Sequence, residues 1–149
     1  MDLLTSEIDI LLLILPRILV ATICGFLVGW DREKKKKVAG LRTMVLISVG
    51  TCIFVLSALV CSKMYNISDP SRIISTIITG IGFLGAGVIM KHDDKIVGVT
   101  TASFIWVIAG IGIMAGLGII IMPIVLTFGL LFISSYFEKL EKYIQRKNQ

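Results

Sequence analysis

Arg17 is the residue whose type and position promise the most chemistry. It stands inside an apolar run over residues 8–30, where a charge costs about 2.5 to 3.5 kcal/mol even on permissive insertion scales. Such a group must be compensated or reach water. Asp31 shares nearly the same helical face but lies ~21 Å further along a helix axis, beyond an arginine's reach. Equal depth on antiparallel neighbouring helices falls near Thr79, Gly80 and Trp106. The guanidinium is therefore predicted to turn inward onto backbone carbonyls, hydroxyls or the Trp106 ring; the alternative is extension toward the outer surface.

Carboxylates set the other candidate chemistry. Magnesium takes oxygen ligands, keeps much of its water and usually sits beside one or two carboxylates. Asp31, Glu33 and Asp69 flank the apolar runs and could act at two mouths, but apart from Asp9 at the outer edge of the first run no Asp or Glu lies within them. Arg17 would oppose a doubly charged cation, more strongly as the local dielectric falls, so a simple magnesium pore is poorly supported. The stretch Lys91-His92-Asp93-Asp94-Lys95 reads as a solvated loop. His92, the single histidine, has no partnered nucleophile, and no metal-ligand or phosphate-loop spacing occurs. No enzyme activity is expected, no cofactor is implied, and metal-binding residues stay unassigned. Cys24, Cys52 and Cys61 fall in apolar runs without paired spacing and read as small packing residues.

Two short motifs mark helix starts. In Asp69-Pro70-Ser71-Arg72, Asp69 can cap free amides and Pro70 suits the first helical position; Arg72 could either snorkel to water or turn inward. In Gly98-Val99-Thr100-Thr101-Ala102-Ser103, ahead of Trp106, the hydroxyls either bond to the preceding turn and neighbouring helices or face a ligand.

The elements that position these residues follow from composition. Of 149 residues, 56% are hydrophobic and 17% charged, and the mean hydropathy is +0.93; such a chain takes lipid as its solvent. Spanning a ~30 Å hydrocarbon core needs about 20 apolar residues. Runs of that kind cover residues 8–30, 43–64 and 72–90, followed by a charge-free stretch over 97–137. That last stretch is roughly twice the membrane thickness as helix, so it must reverse once, at Ala115-Gly116-Leu117-Gly118, with Pro123 in the first turn of the next helix. The expected fold is an all-α membrane protein, a bundle of five transmembrane helices.

Lys and Arg gather on alternate connections, at residues 32–42, 91–95 and 139–147, against only Lys63 and Arg72 on the others. The amino terminus is thus expected outside and the carboxy terminus in the cytoplasm. Its acidic start, with no basic residue before Arg17, lacks the positive region of a cleavable signal. Residues 1–137 read as the membrane domain and 138–149 as a short basic cytoplasmic tail that follows the anionic inner leaflet.

Helices in lipid associate through small residues. Gly25 and Gly29 form a GxxxG step. In Gly80-Ile81-Gly82-Phe83-Leu84-Gly85-Ala86-Gly87, Gly80 and Gly87 share one face, and Gly82, Gly85 and Ala86 the other. The third helix is accordingly expected between two neighbours, its glycines serving either packing alone or the exposure of carbonyls to a bound or permeant species.

Together these motifs resemble the MgtC/SapB family of bacterial membrane proteins. The likeness runs from Arg17 to Gly118, through Gly25 to Gly29 with Asp31-Arg32-Glu33, Ala39-Gly40-Leu41-Arg42-Thr43, Asp69-Pro70-Ser71-Arg72, Gly80 to Ile89, and Gly98-Val99-Thr100-Thr101-Ala102 with Trp106. The resemblance implies a five-span, multi-pass protein of the bacterial inner membrane, tied to magnesium homeostasis, growth in low magnesium and, in pathogens, virulence inside macrophages. It implies a modulator of membrane proteins such as ATP synthase or a P-type ATPase; the alternative is a transporter of magnesium or another small solute. The lipid bilayer and further copies of the chain are the other expected partners, and nucleic acid is not. By matching motif, the functional set is Arg17, Asp31, Arg42, Asp69, Arg72, Gly80, Gly82, Gly85, Gly87, Thr100, Thr101 and Trp106. Two departures matter: Asp31 stands where the family commonly has glutamate, and the chain ends at Gln149 without the ACT-like domain of longer relatives.

Overall fold

The structure, a computed structural model, describes residues 3–65, 69, 71–93 and 95–147. These form five helices, α1 (Leu3–Lys34), α2 (Leu41–Tyr65), α3 (Ser71–Ala86), α4 (Val99–Gly116) and α5 (Ile121–Lys147), with strands β1 (Met90–His92) and β2 (Lys95–Val97) between α3 and α4. Four helices, all but α3, are long and apolar enough to cross a membrane.

Three helices build the centre. α2 lies against both α1 and α4, and α1 and α4 also meet. Their shared core includes Ala21, Cys24 and Val28 from α1, Met44 and Cys52 from α2, and Ile105, Ile108 and Ile111 from α4. Glycines set the spacing. A Cβ on Gly25 would lie 2.8 Å from the Val45 Cα, and one on Gly29 2.7 Å from the Leu41 Cα, so the GxxxG step of α1 is the surface that seats α2. A second such step, Gly112 and Gly116, seats α4 on α2: a Cβ on Gly112 would stand 2.2 Å from the Ser48 carbonyl oxygen. Beside it the Thr51 hydroxyl donates across the interface to the Ala109 carbonyl at 3.1 Å. Cys24 and Cys52 are buried packing residues, whereas Cys61 is exposed.

α3 departs from expectation. It packs on α4 and more lightly on α2, and the glycine faces divide as the periodicity requires, but only Gly85 makes a close approach, 3.7 Å from the Ala102 Cβ. Gly80 and Gly82 have nothing within 4 Å of an added Cβ. They line clefts, Gly80 on the α2 side and Gly82 on the α4 side. The helix also ends at Ala86 rather than Met90, because the chain turns into the hairpin.

That hairpin corrects a purely helical reading. Met90 pairs with Val97, Lys91 with Ile96 and His92 with Lys95, so the expected loop is an antiparallel ribbon. Asp93 at its tip has φ 52°, a left-handed conformation that aspartate tolerates. Asp94 and Pro70 lie outside the described residues. Asp69 caps α3, accepting the Ser71 amide at 3.0 Å, and these hydrogen bonds hold its carboxyl below the usual range.

α1 and α4 end alike. Lys37 N–H donates to Arg32 O and Lys36 N–H to Glu33 O; Ile119 N–H donates to Met114 O and Gly118 N–H to Ala115 O. Both are Schellman endings, with Gly118 (φ 90°) in the left-handed position of α4 and Lys36 (φ 51°) in that of α1. α5 runs unbroken from the reversal through residue 137 to Lys147.

Candidate functional site

The Schellman turn of α4 satisfies the carbonyls of Met114 and Ala115, leaving that of Gly116 open. Arg17 reaches across from α1 and donates from Nη1 to it at 2.9 Å. The guanidinium also lies under Gly118, whose Cβ would fall 3.0 Å from the Arg17 Cζ. A cation on helix-terminal carbonyls is favoured by the α4 dipole. The inward orientation and the carbonyl partner agree with expectation, but the depth does not. The partner is at the carboxy end of α4, not beside Thr79, Gly80 or Trp106, and Trp106 is 57% exposed. α4 starts level with the end of α1, where Arg32 meets Thr101, but has 18 residues against the 32 of α1, so its carboxy end comes level with Arg17.

The opposite end of the bundle holds the densest polar constellation. The α1–α2 connection, the hairpin, the start of α4 and α5 enclose a cavity of about 460 Å³, lined by Arg32, Lys36, Lys37, Thr100, Thr101 and Glu138 among others. Its size is that of ordinary ligand pockets. Arg32 is 2% exposed. Its Nη2 donates to the Thr101 hydroxyl at 2.5 Å, its Cζ lies 4.4 Å from the Phe104 ring centre, and its Nε is buried without a hydrogen-bond partner. Asp31 turns away from Arg32 to Lys35, which it meets at 2.9 Å while Glu138 meets the same ammonium at 3.1 Å. Burial pulls the Lys35 pKa down, but hydrogen bonds to the two carboxylates outweigh it and hold the ammonium above its ordinary value. Lys35 thereby ties α1 to α5 at the rim.

Two glycines shape this end. Gly98, at φ 93°, is the N-cap of α4 with no side-chain cap, and a Cβ there would fall 1.9 Å from the Val88 carbonyl oxygen. Gly40 faces Glu33, whose Oε2 accepts the Leu41 amide at 2.9 Å and so caps α2; a Cβ on Gly40 would lie 1.9 Å from that oxygen. Gly40→Ala and Glu33→Ala are each expected to lower stability by about 1 kcal/mol through loss of the cap. The double variant should be no worse than either alone, because both remove one interaction. Thermal unfolding in detergent tests this, and fully additive losses would refute the shared cap.

The residues singled out from sequence therefore divide. Thr101 joins Arg32, and Thr100 lines the same cavity. Asp31 is half-buried beside it on Lys35. Arg17 serves the far side of the bundle. Asp69 caps α3, and Arg72 and Arg42 are exposed. Gly80, Gly82 and Gly85 belong to α3 and its clefts, and Gly87 is exposed just beyond it. Sequence reasoning counts Arg32 and Lys35 only among the charges that set orientation, places Glu33 at a mouth of the bundle and not as a cap, and gives Glu138 no role. The signal was available in part: a glycine seven residues after a glutamate, just ahead of a helix, is room for a cap. Among the described residues, no three His, Cys, Asp or Glu side chains gather as a metal would require.

Comparison with known proteins gives this geometry a family. The MgtC family sequence model matches residues 18–143. Protein MgtC of Salmonella typhimurium is 43% identical over 101 residues, 68% of this chain and 42% of that protein. YhiD of Escherichia coli K12, provisionally named as a magnesium transporter, is 39% identical over 140 residues, covering 91% of this chain and 65% of YhiD. An uncharacterised protein of Haemophilus influenzae is 38% identical over 145 residues, 93% of this chain and 61% of its own length. The chain thus spans less than two thirds of these curated relatives, and no solved structure matches it. On the family match and these identities together, the chain belongs to the MgtC family.

Proposed function

We propose that the chain is a five-span protein of the bacterial cell membrane, amino terminus outside and basic end in the cytoplasm, that serves magnesium homeostasis by modulating other membrane proteins, a membrane ATPase foremost. The basic end gathers the α1–α2 connection, the hairpin and the end of α5, which supports the cytoplasmic assignment under the rule that Lys and Arg stay inside. In this reading α3, whose 16 residues rise only ~24 Å, is the third span.

The observation that carries the modulator reading is the fixed positive charge. Arg17 lies toward one side of the bundle and Arg32 toward the other, both turned inward. Residues 10–30, 41–65, 71–86 and 99–137 contain no Asp or Glu to offset them. A doubly charged cation crossing the bundle would pass two guanidiniums in a medium of low dielectric. α3 supplies a docking surface, since Phe83 is 81% exposed and the open Gly80 and Gly82 present bare backbone where another helix, of a partner or a second copy, could approach closely.

The second reading, magnesium transport, is favoured by the provisional name of YhiD. Purified protein in sealed vesicles decides between them. The expected result is no magnesium flux above that of empty vesicles, with or without Arg17→Ala, together with photo-crosslinking from position 83 to a membrane ATPase in cells. Flux that depends on the protein would overturn the modulator reading.

A further inference from the structure

Arg32 poses a problem that the family reading does not answer. A guanidinium removed from water is stable only when its donors and its charge are met. Arg32 has one hydroxyl and one ring face, and its Nε has neither protein partner nor solvent. Of the carboxylates nearby, Asp31 and Glu138 meet Lys35, and Glu141 borders the cavity as well. Arg32 also lines the 460 Å³ cavity.

The wall facing it is the start of α4. The first-turn amides of a helix have no intrahelical partner, and here Gly98 supplies no side-chain cap. The glycine is imposed by the hairpin, since any side chain would strike the Val88 carbonyl. The amino end of an 18-residue helix, carrying its positive dipole end, is thus left bare toward the cavity lined by Gly98, Thr100 and Thr101. Amides and dipole together favour an anion. Lys36, in the left-handed position that ends α1, and Lys37 also line the cavity and add two exposed cationic side chains. Glu138 and Glu141 also border the cavity; Glu138 is held on Lys35 at 3.1 Å, and the guanidinium, the bare amides and the lysines together outweigh the two carboxylates.

We propose that this cavity binds a phosphate group, gripped by the Arg32 guanidinium and the first-turn amides of α4 and enclosed by Lys36 and Lys37. Arginine's planar fork matches phosphate oxygens. The phosphate can come from a free ion or ester in the cytoplasm or from the headgroup of an anionic phospholipid, as the basic end lies where headgroups lie. The site stands whether the chain modulates or transports.

The test uses the full chain purified into nanodiscs of neutral phosphatidylcholine, with thermal unfolding as the readout. Inorganic phosphate is titrated against chloride at constant ionic strength, and a parallel set of nanodiscs carries phosphatidylglycerol. Binding is expected to raise the midpoint by several degrees in at least one arm. A shift with inorganic phosphate identifies a free anion; a shift with phosphatidylglycerol alone identifies a lipid headgroup. Arg32→Lys, which keeps the charge but loses the fork, should weaken binding at least tenfold, and Lys36→Gln with Lys37→Gln, exposed and harmless to the fold, should weaken it severalfold. Lys63→Gln, at the other end, should change nothing. No shift in either arm, or a shift that survives both the Arg32→Lys and the double lysine variants, overturns the site.

Discussion

Gly112→Ala should unseat α4 from α2 and lower stability by at least about 3 kcal/mol, above the usual range for one extra methyl in a packed core. The reason is what the methyl would meet. Its carbon would stand 2.2 Å from both the Ser48 carbonyl oxygen and the Thr51 hydroxyl oxygen, and 3.0 Å from the Ser48 carbonyl carbon. A side-chain end can swing aside, but the backbone of α2 can yield only by moving the helix. The Thr51 hydroxyl would then lose the Ala109 carbonyl that it meets at 3.1 Å. The matched control is two residues away: Gly110 has nothing within 4 Å of an added Cβ, so Gly110→Ala should be neutral or gain up to about 1 kcal/mol from helix propensity. Thermal unfolding of both variants in one detergent measures the difference. Equal midpoints would show that α2 and α4 do not approach through this glycine.

That pair of glycines also shows what a sequence makes legible. Hydropathy runs placed all five helices, since length and apolar content are set by the bilayer they must match. Asp69 was readable as a cap and the reversal at Gly116 to Gly118 as a turn, because both depend on a few adjacent residues. Gly112 went unnoticed because its GxxxG partner, Gly116, was already explained by the turn. Arg32 went unnoticed for a deeper reason. One of six basic residues between 32 and 42, it differs from the others only once the hairpin and the bare end of α4 are set beside it. The hairpin was itself hidden, as three-residue strands carry too little alternation to register. The level at which α4 stops was also beyond reach, since an unbroken apolar run over 97–137 does not show how far along its neighbours each of its two helices extends.

Depth is what makes Arg17 consequential. Past the contact with Gly116, α1 runs on to Leu3 and α2 runs on from Val55 to Tyr65, each at least ~15 Å further at helical rise. The α4–α5 reversal stops short of both. Its residues are Leu117, Gly118, Ile119 and Ile120, with no polar side chain among them, so in a membrane bundle the turn sits within the hydrocarbon. Backbone carbonyls there have no water to bond. The Schellman geometry satisfies those of Met114 and Ala115, and Arg17 satisfies that of Gly116. Replacing Arg17 by glutamate would either set a negative group against a carbonyl at the negative end of the helix dipole or force a shorter carboxyl to take up a proton on burial, which itself costs stability. The loss should exceed about 3 kcal/mol, since a hydrogen bond from a charged donor alone contributes about 1.5 to 3. Arg17→Lys keeps charge and donors and should lose far less. Arg17→Leu should fall between them, because removing the carbonyl's partner also removes a charge whose insertion costs about 2.5 to 3.5 kcal/mol. Unfolding midpoints of the three variants should therefore rank lysine above leucine above glutamate. A glutamate variant as stable as the lysine one would mean that the guanidinium does not hold the end of α4, and that the reversal reaches water after all.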